Sequence, residues 1–132
     1  MKFQDIIGQE QITGHLQNAI RMGKVSHAYI FAGKRGVGKT TTALAFADAL
    51  TEGSKVDVTL VTNAQYDTES KSEAVSVKTV RAASADMYVK PYAADKRVFI
   101  IPDAEKMTPQ AQNAILKTIE EPPAYSVIIF LT

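Results

Sequence analysis

The chain of 132 residues contains no cysteine. That excludes disulfides, thiolate zinc sites, iron–sulfur clusters and thiol nucleophiles. Histidine is scarce: His15 and His27 cannot form a His-rich metal site alone. No apolar run approaches the roughly 20 residues that cross a bilayer as a helix. The opening residues Met1-Lys2-Phe3-Gln4-Asp5 lack the apolar stretch of a secretion signal, so the expected address is cytoplasmic, with no membrane partner. No charge of one sign dominates either. Fifteen Lys plus Arg stand against fourteen Asp plus Glu, a net charge of +1, which excludes a strongly basic nucleic-acid arm but not a local basic patch. What is present, 45% apolar and 22% charged residues, is the composition of one soluble globular domain with a core of its own.

Gly and Pro divide the chain into alternating helical and extended segments. Residues 9–22 place Ile12, Leu16, Ala19 and Ile20 at helical spacing, with Gly23 as a stop. Ala28-Tyr29-Ile30-Phe31-Ala32 is a continuous apolar run that suits a strand buried on both faces. A helix is predicted over 39–50, with Ala43, Ala47 and Leu50 on one stripe, and a strand over 56–61. Residues 63–74 are polar and without period, a loop; 79–88 read as a helix carrying Val80, Ala83 and Met87. A strand over 97–101 halts at Pro102. Thr108 then suits an N-cap and Pro109 the first helical position, where its missing N–H costs nothing; Ala111, Ala114, Ile115 and Ile119 form the buried face. Pro122-Pro123 ends that helix, and 127–131 is a fourth apolar strand. The alternation predicts an α/β class with a mainly parallel sheet. The chain stops directly after a strand that would need a covering helix, so an excised piece of a longer protein is expected.

Gly33-Lys34-Arg35-Gly36-Val37-Gly38-Lys39-Thr40 matches the phosphate-binding pattern G-x-x-x-x-G-K-[ST] in full, between a predicted strand and a predicted helix. The glycines let the backbone curl with its N–H groups inward, where they and the positive end of the helix bind phosphate oxygens. Lys39 would neutralise the β- and γ-phosphates, and the Thr40 hydroxyl would ligate Mg²⁺.

The acidic half of such a site is irregular. A carboxylate at the end of a neighbouring strand usually helps hold Mg²⁺. Here Pro102 follows the strand directly and can ligate nothing, and Asp103 lies one place later, where a one-residue slip turns a side chain to the opposite face. Two readings stand for Asp103: it reaches the metal and catalytic position through a sharp bend at Pro102, or it only starts the turn before the next helix. Of the remaining polar residues, His27 reads as packed and hydrogen-bonded and His15 as solvent-facing. Lys34 and Arg35 contact phosphate or are solvated. Lys90, Lys96 and Arg97 read as surface, with DNA contact the second reading, and Glu120-Glu121, set against the helix dipole, as a solvated pair or a partner contact.

Several segments together resemble one family. Phe3-Gln4-Asp5-Ile6-Ile7-Gly8-Gln9, Ser26-His27-Ala28-Tyr29-Ile30-Phe31, the glycine-rich loop, Lys90-Pro91-Tyr92 and Ala104-Glu105-Lys106-Met107 look like a bacterial clamp-loader AAA+ subunit of DNA polymerase III. So, most specifically, does Gln112-Asn113-Ala114-Ile115-Leu116-Lys117-Thr118-Ile119-Glu120-Glu121-Pro122-Pro123. Within that family the delta-prime type is the nearest and gamma/tau the second. The resemblance implies a P-loop NTPase of three layers, αβα, with sheet order 5-1-4-3-2. It implies ATP or ADP held by residues 33–41 (Thr41 included), with Ile7 and Gly8 near the adenine. Thr132 would sit at or just before the sensor position. The implied partners are other clamp-loader subunits and, through the complex, a sliding clamp and primed DNA.

The departures shape the expected activity. The four-cysteine zinc module that bacterial relatives usually carry is missing, its place bridged by 51–55, so no zinc is expected. The family's metal-binding Asp is replaced by Pro102, and Asp103 falls where the catalytic Glu belongs. The fifth strand, the arginine-finger segment, the lid and the collar lie beyond Thr132, which makes 1–132 a truncated nucleotide-binding domain. The expected activity is that of a nucleotide-binding stator with weak or absent magnesium dependence and poor hydrolysis. The alternatives are an active gamma/tau-like ATPase and a small P-loop kinase. Without the fifth strand, the first becomes an open, uncharged apolar edge able to recruit a second copy, unless 1–7 fold back over it.

Overall fold

The computed structural model describes residues 27–31, 38–71 and 74–132. The helix expected over 9–22, and most of the glycine-rich loop, lie outside them. The elements run β1 (Ala28–Phe31), α1 (Lys39–Leu50), a 3-10 turn (Lys55–Asp57), β2 (Val58–Leu60), α2 (Asn63–Tyr66), α3 (Val77–Met87), β3 (Arg97–Ile101), a second 3-10 turn (Ala104–Lys106), α4 (Pro109–Glu120) and β4 (Ser126–Leu131). The four strands form one sheet in the order β1-β4-β3-β2, all pairs parallel. Phe31 lies opposite Leu131, and Ile101 opposite Phe130.

Alternation along the central strands builds the two cores. Val98 and Ile100 of β3, with Val127, Ile129 and Leu131 of β4, face α1 and meet Ala43, Phe46, Ala47 and Leu50. Phe99 and Ile101, with Ile128 and Phe130, face the other way onto Val80, Ala83 and Met87 of α3 and Ala111 and Ile115 of α4. Both strands are therefore buried along their whole length, as parallel strands covered by helices on both faces must be. The result is a three-layer α/β/α domain. Tyr29 closes the α1 side by meeting the Phe46 ring edge-on, with centroids 4.9 Å apart.

Three expectations are corrected. β1 is not buried on both faces: it is the end strand of the described sheet, and Ile30 is 70% exposed. The second strand is shorter than 56–61, because Lys55–Asp57 wind into a 3-10 turn that leaves Val56 exposed. Residues 63–74 are more than a loop. α2 occupies their start, and Asn63 ties the segment down: Oδ1 accepts from the Ser76 N–H at 3.0 Å and the Thr79 hydroxyl at 2.7 Å, while Nδ2 donates to the Ala74 carbonyl at 2.7 Å. Asn63, one of the polar residues without a period, is consumed by these bonds. The helix start at Thr108-Pro109 is as expected, the Thr108 hydroxyl accepting from the Ala111 N–H at 3.2 Å.

Candidate functional site

Parallel α/β sheets place ligand sites at the carboxyl ends of their strands. At that edge β1 ends at Phe31 beside the end of β4, and the Thr132 N–H donates to the Phe31 carbonyl at 3.1 Å. This bond ties the last residue of β1 to the end of β4. The chain is described again at Gly38, the N-cap of α1, in the left-handed conformation with φ +81°. Among the described residues no heavy atom lies within 4 Å of where a Cβ would stand on Gly38, and the positive φ itself favours glycine there.

The three long helices begin differently. The Ser76 hydroxyl caps α3 by accepting from the Thr79 N–H at 3.1 Å, and Thr108 caps α4. Among the described residues α1 has no side-chain cap, it has no acidic residue in its first turn, and Thr40 there is exposed. An uncapped helix start leaves N–H groups and the positive end of the helix dipole for an anion. Of the sequence-predicted site residues, Gly38, the Lys39 backbone, Thr40 and Thr41 stand together at this helix start; Ile7, Gly8, Gly33, Lys34, Arg35, Gly36 and Val37 lie outside the described residues.

Asp103 belongs to the next strand end but one from β1. β3 stops at Ile101, Pro102 begins the turn, and Asp103 is exposed in a left-handed conformation, φ 49° and ψ 45°. Its carbonyl accepts from the Lys106 N–H at 2.9 Å, so it opens the 3-10 turn, and its side chain makes no capping bond. Asp103 thus starts the turn that follows Pro102. Among the described residues no three His, Asp or Glu side chains come together in a way that could hold a metal ion. His27 is hydrogen-bonded, Nδ1 lying 3.4 Å from the Ser126 carbonyl oxygen, but it is exposed and not packed.

Two polar centres escaped sequence reasoning. Arg97, expected at the surface, is only 3% exposed. Its Nη1 donates to the Asp86 carbonyl at 2.6 Å, to Asp86 Oδ1 at 3.2 Å and to the Val89 carbonyl at 3.1 Å, and its guanidinium lies over the Phe99 ring. Lys90 is exposed as expected. The fully buried Asp57 receives the Tyr92, Ala93 and Ala94 N–H groups and the Ser54 hydroxyl. Both fix the loop before β3, and neither lies on a strand's carboxyl end.

The family profile described as DNA polymerase III, delta subunit, matches residues 8–132. The chain belongs to this family. It is 37% identical over 143 residues to the DNA polymerase III subunit tau of Bacillus subtilis, covering 99% of the chain and 25% of that protein. It is 33% identical over 150 residues to the gamma/tau subunit of Mycoplasma pneumoniae, covering 99% of the chain and 21% of the relative. The chain therefore spans about a quarter of the length of these relatives. In fold it is similar to a gamma subunit-related protein of Thermotoga maritima, with TM-score 0.70 and 24% identity over 89% of the chain and 38% of that structure. It is similar also to the Bacillus subtilis DNA clamp loader delta protein, with TM-score 0.63 and 14% identity over 90% of the chain and 34% of that structure. These likenesses agree with the three-layer fold. No helix among the described residues is long and apolar enough to cross a membrane.

Proposed function

We propose that the chain is the nucleotide-binding domain of a delta-prime-like clamp-loader subunit. It holds ATP or ADP through residues 33–41 and hydrolyses it poorly. It acts as a stator beside other subunits of a cytoplasmic complex that places a sliding clamp on primed DNA. The observation that carries the nucleotide reading is the start of α1: left-handed Gly38, no side-chain cap, and Lys39-Thr40 next in a complete phosphate-loop motif. The donor set fits a phosphate. It fits Mg²⁺ less well, because Thr40 offers one hydroxyl and Pro102 occupies the place of the usual carboxylate. When bound, Mg²⁺ would screen phosphate charge. Asp103, left-handed, exposed and opening a turn, is the acidic residue nearest the end of β3 and the candidate for metal binding or catalysis there. That weak acidic half supports the stator.

The second reading, an active gamma/tau-like ATPase, is favoured by the relatives, which are tau and gamma/tau subunits. Membership of a DNA polymerase III family removes the support for a small P-loop kinase. Calorimetric titration of ATP and ADP, with and without Mg²⁺, separates the readings when combined with a phosphate-release assay. The stator requires binding that Lys39→Ala largely removes and that Mg²⁺ changes little. Unchanged ATP affinity in Lys39→Ala would show that the phosphate-loop assignment is wrong. Turnover of roughly 1 s⁻¹, the low end for phosphoryl-transfer enzymes such as kinases, would reject the stator in favour of the active ATPase.

A further inference from the structure

At the far end of the sheet from β1, β2 pairs only with β3 among the described residues. The Val61 N–H donates to the Ile100 carbonyl at 2.8 Å. Main-chain groups alternate sides along a strand, so Thr59 and Val61 serve β3 while Val58 and Leu60 point to the open side. The Val58 N–H is already used, donating to the Lys55 carbonyl. That leaves three groups without a partner among the described residues: the Val58 carbonyl and both main-chain groups of Leu60.

Beside this edge runs an open groove of about 600 Å³. Val56, Leu60 and Tyr92 give it exposed apolar walls, Tyr92 being 72% exposed, and Gln65 also lines it. Lys55 is the single charged residue of the lining. It has no ion pair among the described residues. The neighbouring Asp57 carboxylate makes no ion pair with it and takes its hydrogen bonds from four other donors. β2 itself carries none of the charges, prolines or bulges that usually guard an edge.

We propose that this edge takes an extended peptide from a partner protein, added as a fifth strand next to β2, with apolar side chains in the groove and a carboxylate against Lys55. Main-chain bonds to Val58 and Leu60 hold the strand, and the Lys55 charge selects an acidic flank. The inference stands apart from the nucleotide reading, because none of its residues belongs to the α1 site.

The test uses the full chain and two dye-labelled peptides, acetyl-Asp-Val-Thr-Val-Asp-amide and the same peptide with Lys for both Asp, followed by fluorescence anisotropy to millimolar protein. The acidic peptide binds the better, by about threefold for one exposed charge pair, and Lys55→Glu inverts the ranking. Leu60→Pro removes an outward N–H that β3 does not use, a position where an edge strand tolerates proline. It abolishes binding while an unchanged melting temperature shows the fold intact. If Leu60→Pro unfolds the chain, the charge inversion alone decides. No saturable binding, binding indifferent to Lys55→Glu, or stronger binding of both peptides to that variant would overturn the proposal, the last by making Lys55 a guard of the edge. Failure of both peptides with a change in the sedimentation of the free chain on Lys55→Glu would assign the edge to a second copy, which also overturns it.

Discussion

The Asp57 carboxylate holds the Tyr92 main chain, Oδ1 accepting from the Tyr92 N–H at 2.6 Å across 35 residues of sequence. Oδ2 accepts from the next two N–H groups, Ala93 at 2.9 Å and Ala94 at 2.8 Å, and from the Ser54 hydroxyl at 2.9 Å. The loop that delivers the chain into β3 is thereby anchored to the start of β2. Removing the carboxylate leaves three N–H groups without an acceptor. Asp57→Ala is expected to cost about 3 kcal/mol of stability, measured by urea unfolding.

The same carboxylate gives a pH signature. Burial works to raise its pKa, but the bonds from Tyr92, Ala93, Ala94 and Ser54 together outweigh burial and bring it from 3.8 to about 2. A carboxylate depressed in the fold contributes stability that is fully present above its unfolded pKa and lost as pH falls through the folded value. The chain should lose stability between about pH 4 and pH 2 from this group, and Asp57→Ala should show a flatter profile over that window. Parallel slopes in the two proteins would show that the anchor does not titrate there.

Asp86 couples Tyr66 to Arg97. The Tyr66 hydroxyl donates to Asp86 Oδ2 at 3.0 Å, and Arg97 bonds Oδ1 and the carbonyl. Burial raises the Tyr66 pKa, the Asp86 hydrogen bond and charge raise it further, Arg97 partly opposes them, and the phenol is pushed up to about 12. The neutral phenol therefore stabilises the fold below pH 10, and that contribution is lost as pH rises from about 10 to about 12. Subtracting the tyrosinate absorbance of Tyr66→Phe from that of the unaltered chain isolates this group. It should remain protonated at pH 11, and Asp86→Asn should bring its titration down towards the ordinary range.

Legibility in the sequence followed the range of the interactions. β3 and β4 were readable because a strand covered on both faces is a continuous apolar run, and the start of α4 because Thr108-Pro109 signals locally. The sheet order came from the family resemblance. β2 was overextended because Val56 and Leu60 sustain an apolar alternation that the Lys55–Asp57 turn interrupts. Arg97 reads as surface from sequence because a charge at a strand start gives no sign of the Asp86 and Val89 carbonyls that accept from it. Asp57 was missed for the same reason: its partners are main-chain N–H groups, which have no residue signature. In the candidate site the phosphate loop was legible as a motif. The left-handed turn at Asp103 was not, since a single Asp after a proline carries no signal for a positive φ.

Gly38 tests the start of α1 without touching a charge. At φ +81°, with no heavy atom of the described residues within 4 Å of the Cβ position, Gly38→Ala meets backbone strain. The expected loss is about 1 kcal/mol in stability, with nucleotide affinity reduced by a similar free energy, roughly fivefold. Thermal melting and ATP titration on the same preparation check it. Full stability and undiminished affinity would mean that the turn does not require this conformation.

The last prediction concerns β1. The Ile128 N–H donates to the His27 carbonyl and the Thr132 N–H to the Phe31 carbonyl, so these odd-numbered residues face β4 while Ala28 and Ile30 direct their main-chain groups to the open side. Ala-Tyr-Ile-Phe carries no charge, and Ile30 exposes 70% of its surface at that edge. An uncharged, apolar end strand is a template for another chain. The chain is expected to self-associate as its concentration rises, and Ile30→Lys, which places a charge on the edge without entering either core, is expected to shift it towards monomer. Sedimentation velocity over a concentration series reads both. A chain that stays monomeric at high concentration, with or without the substitution, would show the edge to be covered, and the α1 site would be unaffected by that result.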